Sequence, residues 1–206
     1  MTTTPTGSAK WVGRAIKRKE DERFVIGKGI YTADISLPGM LHVAMLRSPY
    51  AHARIVSIDK SEAERLPGVV AVVTGEDLAR HTQPFVVVFP SKMLDYPMAV
   101  KKVRYVGEPV VAVAAVDRYV AEDALQLIKA EYELLPAVVD VQKACEPGAP
   151  VIHEEHGSNV GWQDVFRYGD PDKAFAEADL VVSERFHFHR FSSTPIETFA
   201  SAAQYD

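Results

Sequence analysis

Two uncharged, mostly β-branched runs set the terms of this fold. Val69 to Thr74 (VVAVVT) and Val110 to Val116 (VVAVAAV) contain no formal charge, and turn formers precede both. Pro67-Gly68 leads into the first, and Gly107-Glu108-Pro109 into the second. Apolar runs of this length, without polar alternation, mark strands buried on both faces. Shorter strands are predicted around them. Leu41 to Arg47 (LHVAMLR) reads as one, and Arg54 to Asp59 (RIVSID) alternates as a half-buried strand does. A further strand is expected in Phe85 to Phe89, and another over Val103 to Tyr105. Glu131 to Leu135 begins one that Pro136 interrupts before Ala137 to Val141.

Helix signals fall between these strands. Ser61 and Glu64 have capping-box spacing ahead of a short helix ending near Leu66, and Thr74 with Asp77 repeats that spacing before GEDLAR. Asp117 can cap a helix from Arg118 to Ala130, whose Val120, Ala124, Leu127 and Ile128 form one apolar stripe. Asp170 as N-cap, with Pro171 behind it, starts a short helix ending near Ala178. Long strands are then predicted over Ala178 to Phe191 and Thr198 to Tyr205. Gly27-Lys28-Gly29, Leu37-Pro38-Gly39 and the loop RSPYAHA (Arg47 to Ala53) supply turns. The pattern is α+β with a mixed sheet. The expected divisions are a disordered tail over 1–10, a first domain over 11–145, a linker over 146–165, and the start of a second domain over 166–206.

Composition excludes several classes of partner. The 206 residues include 23 Lys or Arg against 28 Asp or Glu, a formal net charge of −5. No basic face for nucleic acid is expected from that balance. The longest stretch without a formal charge, His81 to Ser91, is 11 residues, too short to span a bilayer. The N-terminus lacks the apolar core of a signal peptide. Cys145 stands alone, so neither an internal disulfide nor a cysteine-built metal site is expected. The expectation is a soluble, reduced, cytoplasmic protein.

Catalytic patterns are scarce. His153-Glu154-Glu155-His156 gathers two imidazoles and two carboxylates, but zinc-protease chemistry needs histidines at i and i+4 on a helix, and here they lie at i and i+3 with Gly157 following. A solvated linker turn is the simpler expectation. His187 and His189 share one face of the predicted strand and could chelate zinc only with a third ligand; hydrogen-bonded strand histidines are expected. Gly27-Lys28-Gly29 is only a fragment of a nucleotide fingerprint, and its glycines suit a turn. Glu108 reads as a turn carboxylate and Cys145 as a passive thiol.

Several stretches taken together resemble the large subunits of the xanthine dehydrogenase / aldehyde oxidase family, closest to its carbon-monoxide-dehydrogenase-like branch. They are DERFVIGKGIYTADISLPGMLHVAMLRSPYAHARIVSID (Asp21 to Asp59), PGVVAVVTGEDL (Pro67 to Leu78), VRYVGEPVVAVAA (Val103 to Ala115), and the pairing of AEDAL with EYELLPAVVD. These resemble the family's α/β hammerhead domain. RFSSTPIETFASAAQYD (Arg190 to Asp206) is similar to the entry into its molybdopterin-binding domain, through Pro195-x-Glu197 and Tyr205-Asp206.

The resemblance implies chemistry in which a molybdenum-bound hydroxide, activated by a carboxylate base, attacks an electrophilic carbon and a hydride passes to a sulfido ligand. It also implies a molybdopterin cytosine dinucleotide in the complete large subunit. FAD and two-iron two-sulfur clusters are implied on separate medium and small partner subunits. The family's dinucleotide-gripping loops and its base lie beyond position 206, so no cofactor, metal ligand or catalytic residue is expected in this chain, and no activity from it alone. Its implied work is to pack on the remainder of the large subunit and shape partner contacts. Candidate interface residues are Arg47, Tyr50 and His52 around the proline-broken loop, and Arg190, Thr194 and Glu197 at the entry to the second domain. The alternative is a stand-alone, non-enzymatic assembly or small-molecule-binding module. Carbon monoxide, aldehydes, purines and other N-heterocycles all stay open as substrates.

Overall fold

The computed structural model describes residues 14–85, 93, 95–189, 191–195 and 197–205. The expected tail over 1–10 and nearly all of the expected Phe85 to Phe89 strand lie outside these. The chain divides into two units, one joining Met1–Pro38 to Glu184–Asp206, the other covering Gly39–Ser183. In the first unit a short helix, α1 (Asp21–Val25), ends at Gly27, whose φ of 71° is open to glycine at little cost. Of the GKG glycines, Gly27 serves a turn as expected, and Gly29 lies just beyond it. Phe24 then stacks on Tyr31 with ring centroids 5.9 Å apart.

The second unit holds two three-stranded sheets. β1 (His42–Arg47) and β3 (Val69–Thr74) flank β5 (Pro109–Ala115) in the first. β4 (Lys102–Val103) and β6 (Lys129–Leu134) flank β2 (Ala53–Asp59) in the second. Every pairing is antiparallel, so the α+β class stands while the expected mixed sheet is replaced by two antiparallel ones. Apolar runs like these are most familiar from parallel sheets with both faces covered. Here they alternate instead between a face packed under helices and an open one. Val70 and Ala71 of β3 are exposed, so that strand is not buried on both faces.

Three helices lie between the strands. α2 (Ser61–Arg65) and α4 (Arg118–Gln126) cover the first sheet, and α3 (Gly75–Ala79) follows β3 directly. Val111 and Val113 of β5, Val72 of β3, and Ala63, Ala124 and Ile128 from the helical side form the core. Full burial of a valine such as Val113, which is 0% exposed, contributes about 1.5–3 kcal/mol. Asp117 caps α4 by accepting from Val120 N–H at 2.9 Å, as its position predicts. The helix stops at Gln126 rather than Ala130, because Lys129 and Ala130 already pair with Asp59 and Ile58 of β2. Its buried stripe also includes Ala121.

The C-terminal expectations divide. α5 (Pro171–Glu177) forms with Asp170 as its cap, accepting from Lys173 N–H at 3.0 Å. No strand forms over the described residues of 178–191 or 198–205, nor over 137–141. The strand-like alternation is present, but a ladder needs a second backbone beside it. No helix among the described residues is long and apolar enough to cross a membrane.

Candidate functional site

The RSPY loop and the Gly107 turn are built as one piece. Ser48 N–H donates to the Glu108 carbonyl at 2.9 Å, and Gly107 N–H donates to the Ser48 carbonyl at 2.8 Å. The Arg47 guanidinium adds a bond to the Gly107 carbonyl at 2.9 Å. Ser48 is itself buried, its hydroxyl donating to the Tyr50 carbonyl and accepting from Tyr50 N–H. Gly107, at φ 89°, lets the turn reverse under this loop.

Glu108 is more than a turn carboxylate. Its residue is only 5% exposed, and the Arg104 backbone N–H donates to its carboxylate. Burial pushes its pKa up, opposed by the backbone N–H groups of Arg104 and Tyr105 and by the Arg104 charge. It thus anchors the clamp from within.

Two of the three loop candidates have exposed surface and the third faces inward. Arg47 and Tyr50 are exposed, and the Tyr50 ring meets Tyr132 edge-on at 5.3 Å. His52 is 4% exposed, its Nδ1 against the Pro136 carbonyl. A carbonyl can only accept, so Nδ1 carries a proton, and Nε2 is buried with no hydrogen-bond partner among the described residues. His52 therefore braces the loop from below and cannot reach a neighbour across its surface.

In the other unit, Glu197 and Thr194 separate in role. The Glu197 carboxylate accepts from Thr32 N–H at 3.1 Å, a contact spanning 165 positions of sequence. Thr194 has φ 34°, an uncommon left-handed conformation for a β-branched residue. Its N–H and hydroxyl both turn back onto Ser192. Arg190 lies outside the described residues.

The segment expected as a solvated linker is docked. Buried Lys102 donates to the Ile152 carbonyl at 2.8 Å and lies 3.5 Å from the Glu154 carboxylate. Arg104 pairs with Glu155 at 3.2 Å, and Glu155 also meets His153 Nδ1 at 3.1 Å. Burial is the main influence lowering the His153 pKa. The Asn159 amide closes the loop, accepting from Ile152 N–H and donating to the Ala144 and Pro150 carbonyls. Lys102 and Arg104 carry no periodic signal in the sequence, since Lys102 lies on a strand of only two residues and Arg104 just beyond it. His153 and His156 do not converge on a metal, since His156 Nε2 turns to the Val160 carbonyl. His187 and His189 bring their rings within 4.6 Å on an exposed, unladdered segment. Among the described residues, no three His, Cys, Asp or Glu side chains form a metal-binding group.

Comparison with known proteins gives this geometry a context. Residues 26–136 match the family model described as "aldehyde oxidase and xanthine dehydrogenase, a/b hammerhead domain", and residues 152–206 match that of a molybdopterin cofactor-binding domain. The chain is 41% identical to the 6-hydroxypseudooxynicotine dehydrogenase complex subunit gamma of Paenarthrobacter nicotinovorans, over 95% of this chain and 25% of that protein. It is 40% identical to the carbon monoxide dehydrogenase large chain of Afipia carboxidovorans, over 99% of this chain and 27% of that one. Among solved structures, quinoline 2-oxidoreductase from Pseudomonas putida 86 aligns with a TM-score of 0.68 at 44% identity, covering 73% of this chain and 20% of that one. A Cu,Mo-CO dehydrogenase aligns with a TM-score of 0.65 at 41% identity, over 82% of this chain and 23% of that one. The chain spans about a quarter of the length of these curated relatives. On the hammerhead match across more than half its residues, the chain belongs to the aldehyde oxidase and xanthine dehydrogenase family.

Proposed function

We propose that this chain is the N-terminal part of the large, molybdopterin-binding subunit of a carbon-monoxide-dehydrogenase-like molybdenum hydroxylase, and that its own work is architectural. In this proposal the hammerhead domain covers about residues 11–145, a linker covers 146–165, and the cofactor-binding domain begins at about 166. The complete large subunit carries molybdopterin cytosine dinucleotide. It acts in the cytoplasm with an FAD-binding medium subunit and a small subunit holding two-iron two-sulfur clusters. Arg47 and Tyr50 face one seam of that assembly, with His52 bracing their loop. Arg190, Thr194 and Glu197 lie at the passage into the cofactor domain.

The observation carrying this proposal is the order of the two family matches along one chain, hammerhead first and cofactor-binding domain second. This reading places the active-site chemistry in other parts of the enzyme, and it is supported by the lack, among the described residues, of any three His, Cys, Asp or Glu side chains grouped to hold a metal. The test is metal and flavin analysis of the purified chain beside the purified complex. Molybdenum, iron and flavin should accompany the complex, and the chain alone should hold none of them stoichiometrically. Stoichiometric molybdenum on the chain alone would overturn the architectural assignment.

A further inference from the structure

The first sheet has two faces with different fates. One face carries Leu46, Val72, Val111 and Val113 into the core beneath α2 and α4. The register places Val43 beside Ala114 and Met45 beside Ala112 across β1 and β5. It places Ala71 beside Ala114 and Val73 beside Ala112 across β3 and β5. Since side chains alternate along a strand, these residues share the opposite face. That face is open. Val43 is 59% and Met45 39% exposed, Ala71 is exposed, and Val73, Ala112 and Ala114 are half-buried. None of these side chains carries a charge or a hydrogen-bond donor.

The sequence pattern and the surface make the same demand. β5 has backbone partners on both sides, so this face can offer side chains but no ladder to a visitor. Alanines form a low floor along the middle, with Val43 and Met45 standing higher on the β1 side. Such a surface fits another apolar layer laid flat upon it.

We infer that this uncharged face, Val43, Met45, Ala71, Val73, Ala112 and Ala114, is the docking surface for the molybdopterin-binding portion of the large subunit. The inference rests on the function proposed above and names the surface through which it is exercised. Size decides between occupants. A stable interface between separate chains takes roughly 20–30 residues a side, far more than this patch supplies to a second copy. A domain tethered in the same subunit docks at a high effective concentration and needs less area. About three quarters of the curated relatives' length has no counterpart in this chain, so an occupant of that kind is available.

The experiment places photo-crosslinking p-benzoylphenylalanine at Met45 in the complete enzyme, with the same substitution at Arg54 on the second sheet as control. Crosslinked peptides are identified by mass spectrometry. Crosslinks from position 45 to the molybdopterin-binding portion, absent from position 54, are the expected result. Crosslinks to a second copy, to a flavin or iron–sulfur subunit, or to nothing would overturn the inference. In parallel, Met45→Glu should lower the yield of assembled enzyme about tenfold, since a carboxylate would be buried unpaired, while the thermal midpoint of the isolated chain stays unchanged. Equal yield of the Met45→Glu enzyme would also overturn it. If no molybdopterin-binding polypeptide is part of the purified wild-type protein, the proposed function fails and this inference with it. If one is present but does not crosslink to position 45, only the docking surface fails.

Discussion

Gly75 opens α3 where another backbone presses against it. A Cβ there would lie 1.9 Å from the Ala99 carbonyl oxygen, a backbone atom that cannot swing aside. Gly107 is glycine for a different reason, because its φ of 89° disfavours a side chain although nothing lies within 4 Å. Gly75→Ala should therefore cost more than Gly107→Ala. About 3 kcal/mol is expected from forced overpacking against about 1 kcal/mol for the left-handed residue. Denaturant midpoints of the two variants test that order, and equal losses would contradict it. Beside Gly75, Asp77 accepts from the Thr74 hydroxyl, the Thr74 N–H and Lys60, which hold its carboxyl down to about 2 from 3.8. The unfolded chain takes up this proton first as pH falls. The stabilisation is thus complete above about pH 4 and disappears as pH drops toward 2. Asp77→Asn should be about 1 kcal/mol less stable than wild type at pH 7 and indistinguishable from it near pH 2. A difference that stays constant across that range would refute the assignment. The same residues show what spacing can reveal. Thr74 and Asp77 form the capping box their sequence predicts, but Ser61 and Glu64 do not. There the Ser61 N–H is taken by Asp59 and Glu64 pairs with Lys60, which also reaches across to Asp77 and Val72. The motif's spacing was legible, and the competing partners beside it, Asp59 at Ser61 and Lys60 at Glu64, were not.

At the scale of elements, legibility followed whether the cause was local. β3, α5 and the caps at Thr74, Asp117 and Asp170 are dictated by neighbours within a few positions, and they appear where expected. The end of α4 is set by the β2–β6 ladder, so the apolar stripe overran it. Residues 178–189 keep strand-like alternation, with Leu180, Val182, Phe186 and Phe188 on one side, yet their backbone has no ladder. The candidate site divides in the same way. The RSPY loop could be marked from Pro49, but the inward turn of His52 depends on Pro136, 84 positions away. The docked 143–160 segment is the clearest case, since Gly, Pro and charge in sequence gave no hint of the Lys102 and Arg104 anchors. Its closure depends on Asn159, which makes three hydrogen bonds to Ala144, Pro150 and Ile152. Asn159→Ala should raise amide hydrogen exchange across 144–160 by about tenfold, the equivalent of losing ~1.4 kcal/mol of local closure, while exchange in β5 stays at the wild-type rate. Equal acceleration in β5 would mean that the loop unfolds only with the sheets and has no separate closure.

Across the whole molecule, apolar burial is unevenly distributed. The buried hydrophobic core lies between positions 53 and 128. Beyond that core, Phe175, Leu180, Phe186, Phe188, Phe191 and Phe199 are between 65% and 91% exposed. Exposed apolar residues are ordinary when scattered, but a succession of them this close along the sequence seeks cover. The described residues of 178–191 and 198–205 form no ladder, which leaves backbone groups open to strand-to-strand association. The net charge of −5 is too small to keep such edges apart. The purified chain alone is thus expected to associate with itself through its C-terminal stretch. Sedimentation at rising concentration should show species heavier than the 22.7 kDa monomer. Phe186→Ser with Phe188→Ser should shift that distribution toward the monomer without moving the thermal midpoint, because neither ring contributes to the core. Met45→Glu should leave self-association unchanged, because its effect is confined to docking on the first sheet. If Met45→Glu dispersed the aggregates and the double phenylalanine variant did not, the open sheet face would be the self-associating surface. The C-terminal stretch would then be silent, and the occupant assigned to that face would have to be a second copy of the chain.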